Sequence, residues 1–136
     1  MDKGILRIID ANYNRVLEGI RVCEEITRFV LSARLLTASF KYTRHTIVAT
    51  MKKWHIQKHA LLDSRNSQND VGKPSARAEL TRLDYKDIFY ANIQRSKESV
   101  RVLEECAKLN NKAIARLFKD IRYRLYEIEK KTHSKL

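Results

Sequence analysis

Apolar residues recur at steps of three and four along most of the chain, which is the spacing of one helix face. The pattern predicts four long helices, one capped by Asp2 and ending at about Leu31, and others at about 33–58, 84–109 and 112–131. The residues predicted to face inward are Ile9, Tyr13, Val16, Ile20, Cys23, Thr27, Val30, Leu36, Phe40, Ile47, Met51, Trp54, Ile114, Leu117, Phe118, Ile121, Leu125 and Ile128. The fold class is therefore predicted to be all-α.

A polar stretch at residues 63–75 interrupts the helical pattern. It holds the only proline and one of the three glycines, so it is predicted to be a loop. On either side of this linker the chain repeats itself, because residues 11–25 and 91–105 are identical at eight of fifteen positions. A weaker match pairs Phe40, Lys41 and Arg44 with Phe118, Lys119 and Arg122.

The duplication predicts the architecture. Each copy, about residues 1–60 and 76–136, forms a helical hairpin, and the two hairpins make a helical bundle with a pseudo-twofold axis. With 136 residues, 43% of them hydrophobic, the chain is predicted to be a single domain spanning 1–136. Cys23 and Cys106 occupy apolar positions of the repeat, so we expect plain buried thiols.

The charge of the chain bears on its partners. Lys and Arg number 28 against 16 Asp and Glu, and the formal charge of +12 suits nucleic acid or small anions equally. Acidic residues are interleaved with the basic ones, which disfavours nucleic acid. No apolar run approaches membrane-spanning length, so we expect no membrane partner and a cytoplasmic location. Length and charge fit a monomer or a homodimer alike.

The residues that the two copies share are mostly polar. On a helical projection they form a face almost opposite the apolar stripe. Solvated positions change most freely after a duplication, yet here inward positions such as Val16 and Ser96 changed instead. This favours a functional face. The alternative is a solvated surface held together by Arg21 with Glu25 and by Arg101 with Glu105, at helical spacing.

Arginine, glutamate and asparagine in pairs indicate the handling of phosphate. The arginine fork binds phosphate, and glutamate binds Mg²⁺ directly or through water. The repeat suggests no Ser-His or Cys-His nucleophile, and the chain has no glycine-rich phosphate loop. In the linker, Asp70 beside Gly72 is interpreted either as a metal ligand or as a turn residue.

Several motifs form one combined signature over essentially the whole chain. They include Arg7-Ile8-Ile9-Asp10-Ala11-Asn12, Asn14-Arg15, Glu18-Gly19, Arg44-His45, Asp70-Val71-Gly72, Arg101-Val102-Leu103-Glu104-Glu105 and Arg122-Tyr123. With these motifs the chain resembles the small hydroxymethylpyrimidine-phosphate kinase family of thiamine biosynthesis, often fused to thiamine-phosphate synthase. The resemblance implies ATP-dependent phosphorylation of the pyrimidine monophosphate to the diphosphate. Asn66 stands where that family has Asp, which puts metal affinity or activity in question.

The charge chemistry assigns provisional roles within such a reaction, with ATP and Mg²⁺ as cofactors. The predicted catalytic phosphate clamps are Arg15, Arg21, Arg95 and Arg101. The predicted substrate or nucleotide ligands are Asn12, Asn92, Arg44, Arg122 and Arg65. The predicted Mg²⁺ ligands are Glu18, Glu25, Glu98, Glu105 and Asp70. Which copy binds the nucleotide is left open, as are a basic nucleic-acid-binding module and a non-catalytic helical dimer.

Overall fold

The computed structural model describes residues 1–136 except for the side chain of Ala78. It contains five α-helices and, among the described residues, no strand, which confirms the all-α prediction. The helices are α1 (Lys3–Glu25), α2 (Arg34–Lys53), α3 (Lys58–Ser64), α4 (Tyr85–Ala107) and α5 (Lys112–His133). None of these helices is long and apolar enough to cross a membrane.

Short polar side chains begin three of the helices. Asp2 accepts hydrogen bonds from the amides of Gly4 and Ile5 at 2.7 and 3.2 Å, as the sequence predicts. Asp84 caps α4 in the same way, and Asn111 caps α5. Each cap satisfies amides that the first helical turn leaves without a partner.

The end of the first hairpin helix differs from the prediction in one respect. After Glu25 the chain continues as a π-helical turn, Ile26–Val30. The wider turn shifts the phase of the apolar stripe. Val30, predicted to face inward, is therefore 51% exposed, whereas Thr27 is fully buried.

The predicted second helix is too long. It ends at Lys53, because His55 adopts a left-handed conformation with φ of 58° that helices do not continue through. The chain then forms α3, which packs on α1 and buries Leu61 and Ser64. Residues 63 and 64, assigned to the linker by the sequence pattern, belong to this extra helix.

The four long helices form a bundle in which each helix packs both on its partner in the same hairpin and on a helix of the other hairpin. Helix α1 packs on α2 and α4, and α5 packs on α4 and α2. Cys23 near the end of α1 approaches the carbonyl of Phe89 near the start of α4, so these helices are antiparallel. Because α1 and α4 are antiparallel copies of each other, the pseudo-twofold axis that relates them runs between them, perpendicular to the helix axes.

The core takes residues from both copies. Phe40, Phe89 and Phe118 are its largest fully buried side chains, and they come from α2, α4 and α5. Apart from Val30, the residues predicted to face inward are buried or half-buried. Cys23 and Cys106 are buried free thiols, and burial raises the pKa of both. The hydrophobic periodicity thus located the core correctly.

Candidate functional site

Two repeated carboxylates hold the hairpins together. Glu24 on α1 accepts hydrogen bonds from Arg44 on α2, the shorter at 3.0 Å. Glu104 on α4 accepts one from Arg122 on α5 at 2.9 Å. Both carboxylates are at most 5% exposed and need compensating cations, to which Arg21 adds a second for Glu24 at 3.6 Å and Arg101 a second for Glu104 at 3.3 Å. Arg44 and Arg122, predicted to bind substrate or nucleotide, therefore lie in ion pairs between the helices of their own hairpin.

The neighbouring repeated charges pair along each helix. Arg21 lies 3.8 Å from Glu25, and Arg101 lies 2.8 Å from Glu105. Glu105 also accepts a hydrogen bond from Lys108, which is the largest cause of its lowered pKa. The surface-pairing alternative therefore accounts for these four residues, which the sequence assigned to catalysis and metal binding. Their geometry gives them structural partners.

A groove of about 560 Å³ runs between the first part of α1 and the linker. Five of the predicted site residues line it, namely Asn12, Arg15, Glu18, Arg65 and Asp70. Its other polar side chains include Arg7, Asp10, Asn14, Asn66 and Ser67. This volume is within the usual range for a small-molecule site. The groove is our candidate site.

A two-point ion pair fixes the linker over α1. Arg65 donates from Nε and Nη2 to the two carboxylate oxygens of Asp10 at 2.7 and 2.8 Å. Hydrogen bonding to Asp10 raises the pKa of Arg65. Asn14 also donates to Asp10, which is only 6% exposed. Arg65 thus forms one wall of the groove with its fork already engaged, so it acts first as a linker clamp.

Two other arginines of the groove have uncommitted charge. Among the described residues, neither Arg7 nor Arg15 has an acidic partner within ion-pair distance, and both side chains are exposed. Glu18, on the same wall, likewise has no basic partner in the described part of the chain. Two free arginines beside a free carboxylate can receive a phosphate group and a cation bound to it.

The predicted metal ligands do not converge as a set. No group of three or more His, Cys, Asp or Glu side chains among the described residues could hold a metal ion. Glu18 and Asp70 line the groove, whereas Glu25, Glu98 and Glu105 lie outside it. Asp70 also accepts from the amide of Gly72 at 2.9 Å, as a turn residue does. Glu18 and Asp70 are therefore the only two of the predicted metal ligands among the described groove residues, and Mg²⁺ commonly takes further ligands from water and substrate phosphates.

The second copy has its own groove, which is lined by the predicted residues Glu98, Arg101 and Arg122 but by no residue of the linker. Asn92 donates to the carbonyl of Ile88 at 2.8 Å, as Asn12 does to Ile8 at 2.9 Å, so this local structure is shared. Arg95 is exposed, and Glu98 accepts from Gln94. The linker clamp is specific to the first copy.

Arg7 and Asp10 are among the groove residues that were not predicted to belong to the site, although both belong to the motif quoted for the family resemblance. At the repeat offset of 80 they correspond to Asp87 and Tyr90, so neither belongs to the shared pattern. The signal that distinguishes them is a polar residue at which the two copies disagree.

The model of the ThiD2 family matches residues 7–131, a span that includes most of the groove and both hairpins. The chain belongs to the ThiD2 family. For this ThiD2 member, no solved structure gives a significant match.

Two relatives of the chain carry the name thiamine-phosphate synthase. The protein from Synechocystis sp. is 40% identical over 127 residues, covering 93% of this chain and 35% of the relative. The protein from Rhodopirellula baltica is 36% identical over 125 residues, covering 91% and 33%. The chain therefore spans about a third of the length of these relatives.

Proposed function

We propose that this chain acts in thiamine biosynthesis and transfers a phosphoryl group from ATP to hydroxymethylpyrimidine phosphate, which yields the diphosphate. The observation that carries the proposal is the groove of the first copy. There Arg7 and Arg15 have no acidic partner in the described structure, and Glu18 has no basic one. Family membership and relatives named for thiamine phosphate support the substrate class.

The chemistry of this reaction is dominated by charge. A phosphate monoester is largely dianionic near neutral pH, so its oxygen needs no strong base to attack. Two anions must instead be brought together while charge spreads over the transferring group. Arg7 and Arg15 would bind and orient the phosphates, and Glu18 with Asp70 would hold Mg²⁺. The metal would supply neutralisation of phosphate charge.

The pseudo-twofold axis suggests how the second copy contributes. A side chain at Gly19 would meet Asn92 and Ser96 of α4, although the repeat counterpart of Gly19 itself is Ser99. In an antiparallel pair of repeated helices, the twofold axis lies midway between a residue and the counterpart of its contact. The axis therefore passes close to Val16 and Ser96. Arg15 and its counterpart Arg95 are the residues directly before these two, and both are exposed. We propose that Arg95 contacts the nucleotide phosphates there.

The name of the relatives raises a competing activity, the synthase reaction itself. The chain matches about a third of each relative, so the remaining two thirds are free to carry that reaction in them. The chain alone is proposed to make the diphosphate, the activated form that a synthase can consume.

An assay with ATP, Mg²⁺ and the pyrimidine monophosphate, run beside the free alcohol, tests the proposal. We expect diphosphate from the monophosphate only, because an arginine site built for that phosphate is left with uncompensated charge by the alcohol. We expect Arg15→Gln to lower kcat/KM by about a hundredfold while the melting temperature stays within a few degrees.

Arg34→Gln is the matched control, since Arg34 is also an exposed arginine and lies outside the groove. It is expected to keep the activity. Folded protein that makes no diphosphate in the presence of Mg²⁺ would refute the kinase proposal. Formation of thiamine phosphate from pyrimidine diphosphate and thiazole phosphate would favour the synthase reaction.

A further inference from the structure

A second basic groove lies at the corner where α4 ends and α5 begins. It has a volume of about 430 Å³ and is lined by Glu104, Lys108, Lys112, Ala115, Arg116 and Lys119. None of these residues lines the groove of the first copy. The proposed kinase reaction therefore leaves this groove unexplained.

The acidic charge at this corner is already compensated. Glu104 is engaged by Arg122, and Lys108 lies 2.7 Å from Glu105. Within the described structure, Lys112, Arg116 and Lys119 have no acidic partner at ion-pair distance. The groove consequently has three uncommitted cations on one side of α5.

The spacing of these cations matches an extended anion. Residues 112, 116 and 119 are separated by steps of four and three, so they lie along one helix face. Lys112 lies in the first turn of α5, where the helix dipole adds positive potential. A single carboxylate would neutralise one cation, whereas a diphosphate or triphosphate can neutralise all three.

The first copy provides an internal comparison. At the repeat offset of 80, Lys108 corresponds to Arg28. At the offset of 78 that holds for the second helix of each hairpin, Lys112 and Lys119 correspond to Arg34 and Lys41, but Arg116 corresponds to Ala38. The basic character is thus duplicated, and the fourth cation belongs to the second copy alone.

Another groove nearby shows why uncommitted charge matters. It is lined by Lys97, Arg101 and Arg122, but each of these cations already has an acidic partner within 3.3 Å. A phosphate would have to displace those partners. The corner groove makes no such demand.

We infer that the groove between α4 and α5 is a second anion site, which binds the diphosphate or triphosphate moiety of a small molecule. The free diphosphate and the phosphate tail of a nucleotide share this chemistry. The site is separate from the proposed kinase groove and does not require turnover.

Calorimetric titration of the full chain with inorganic pyrophosphate and with orthophosphate tests this inference. We expect saturable binding of pyrophosphate and at least about tenfold weaker binding of orthophosphate, because fewer charge-assisted hydrogen bonds form. The double variant Lys112→Gln/Arg116→Gln should weaken pyrophosphate binding by about tenfold or more. Lys52→Gln/Lys53→Gln removes the same charge from another exposed pair and should leave binding within about twofold.

Further arms separate the sources of the anion. The corner variant should cause the same loss of pyrophosphate binding when it is combined with Arg15→Gln, which weakens the kinase groove, and this readout is independent of kinase activity. If the Lys112→Gln/Arg116→Gln variant weakens the binding of ATP as much as that of pyrophosphate, the site accepts the phosphate tail of a nucleotide. If the binding of ATP is unaffected, the site selects the free diphosphate.

Several results would overturn the inference. These are absence of saturable binding, equal loss in the Lys52/Lys53 control, and loss only in Arg15→Gln. Tighter binding of a short single-stranded DNA that is lost in the same corner variant would make the surface a nucleic-acid interface instead.

Discussion

The carboxylates of Glu24 and Glu104 are charges taken out of water. Each lies beneath an arginine that comes from the next helix of its hairpin. Such a pair contributes little net stability when intact, because desolvation offsets the attraction. Removing one partner is different, since it leaves the other charge half-buried and uncompensated. The repeat therefore kept these residues together for a structural reason.

We expect Glu24→Ala to destabilise the fold by about 3 kcal/mol, because Arg44 loses its carboxylate partner in a buried setting. Glu104→Ala should have a similar effect through Arg122. Urea denaturation measures both. Glu105→Ala is the control, since Glu105 is half-exposed and pairs on the surface, and should cost less than about 1 kcal/mol. Equal effects in all three variants would contradict the difference in burial.

Sequence alone could identify these residues but not sort them. The pairs of Arg21 with Glu25 and Arg101 with Glu105 follow from helical spacing, and the structure contains both. The pair of Glu24 with Arg44 spans 20 positions and depends on how two helices pack. A helical projection shows only one helix. It therefore could not distinguish charges that bind each other from charges left for a ligand.

At the scale of the helices, α1 and α4 pack so closely at Gly19 that a side chain there would collide with α4. A Cβ atom at Gly19 would lie 2.9 Å from the carbonyl oxygen of Asn92 and would also collide with the Ser96 hydroxyl. The carbonyl belongs to helix backbone and cannot rotate away. The close approach brings the two copies together beside Asn92, a predicted site residue.

Gly19→Ala should therefore destabilise the protein by about 1–3 kcal/mol, although alanine is the better helix former. Thermal denaturation compares it with Gly72→Ala in the exposed linker. There the new Cβ makes only an ordinary contact at 3.5 Å, so we expect no loss. Adding Ser96→Ala to Gly19→Ala should recover part of the stability, because the backbone carbonyl remains. A stabilised Gly19→Ala protein would show that α1 and α4 are not so close.

One ion pair, between Arg65 and Asp10, holds the linker in place over α1. Arg65→Gln should release it from Asp10, because a neutral side chain cannot form the charged two-point pair. We expect faster cleavage by endoproteinase Asp-N before Asp70 in the linker and a raised KM for the pyrimidine phosphate, with a smaller effect on melting temperature. Arg65→Lys keeps the charge but not the fork and should fall between the two. Unchanged cleavage in both variants would rule out a clamp.

The path of this linker was not predictable from the sequence pattern. Its polarity, proline and glycine correctly indicate a loop, but Asp10 and Arg65 are 55 positions apart and follow no periodicity. Helix α3 was missed for a related reason. Its seven residues are too short for a periodic signal, and its two buried residues are fixed by packing on α1.

For the whole molecule, the symmetric bundle is the frame and the functional groove is the exception to it. Both copies supply equivalent helices, ion pairs and buried phenylalanines. Only the first copy has the linker, Arg7 and Asp10 around its repeated Asn, Arg and Glu. The repeat therefore predicted the fold well, whereas the site also needed the positions where the copies differ. An alignment of the two copies shows the positions that agree and therefore gives no signal for those that differ.

A core shared by both copies should unfold in one step. The single tryptophan, Trp54, donates to Asn110 at 3.0 Å and packs against Phe118, so its fluorescence reports contact between the copies. Far-UV circular dichroism reports all the helices. In urea we expect both signals to give the same midpoint. Phe118→Leu should lower both midpoints together. Helical signal that persists after the tryptophan becomes exposed would mean that one hairpin is stable alone, contrary to the interlocked packing of α1 on α4 and of α2 on α5.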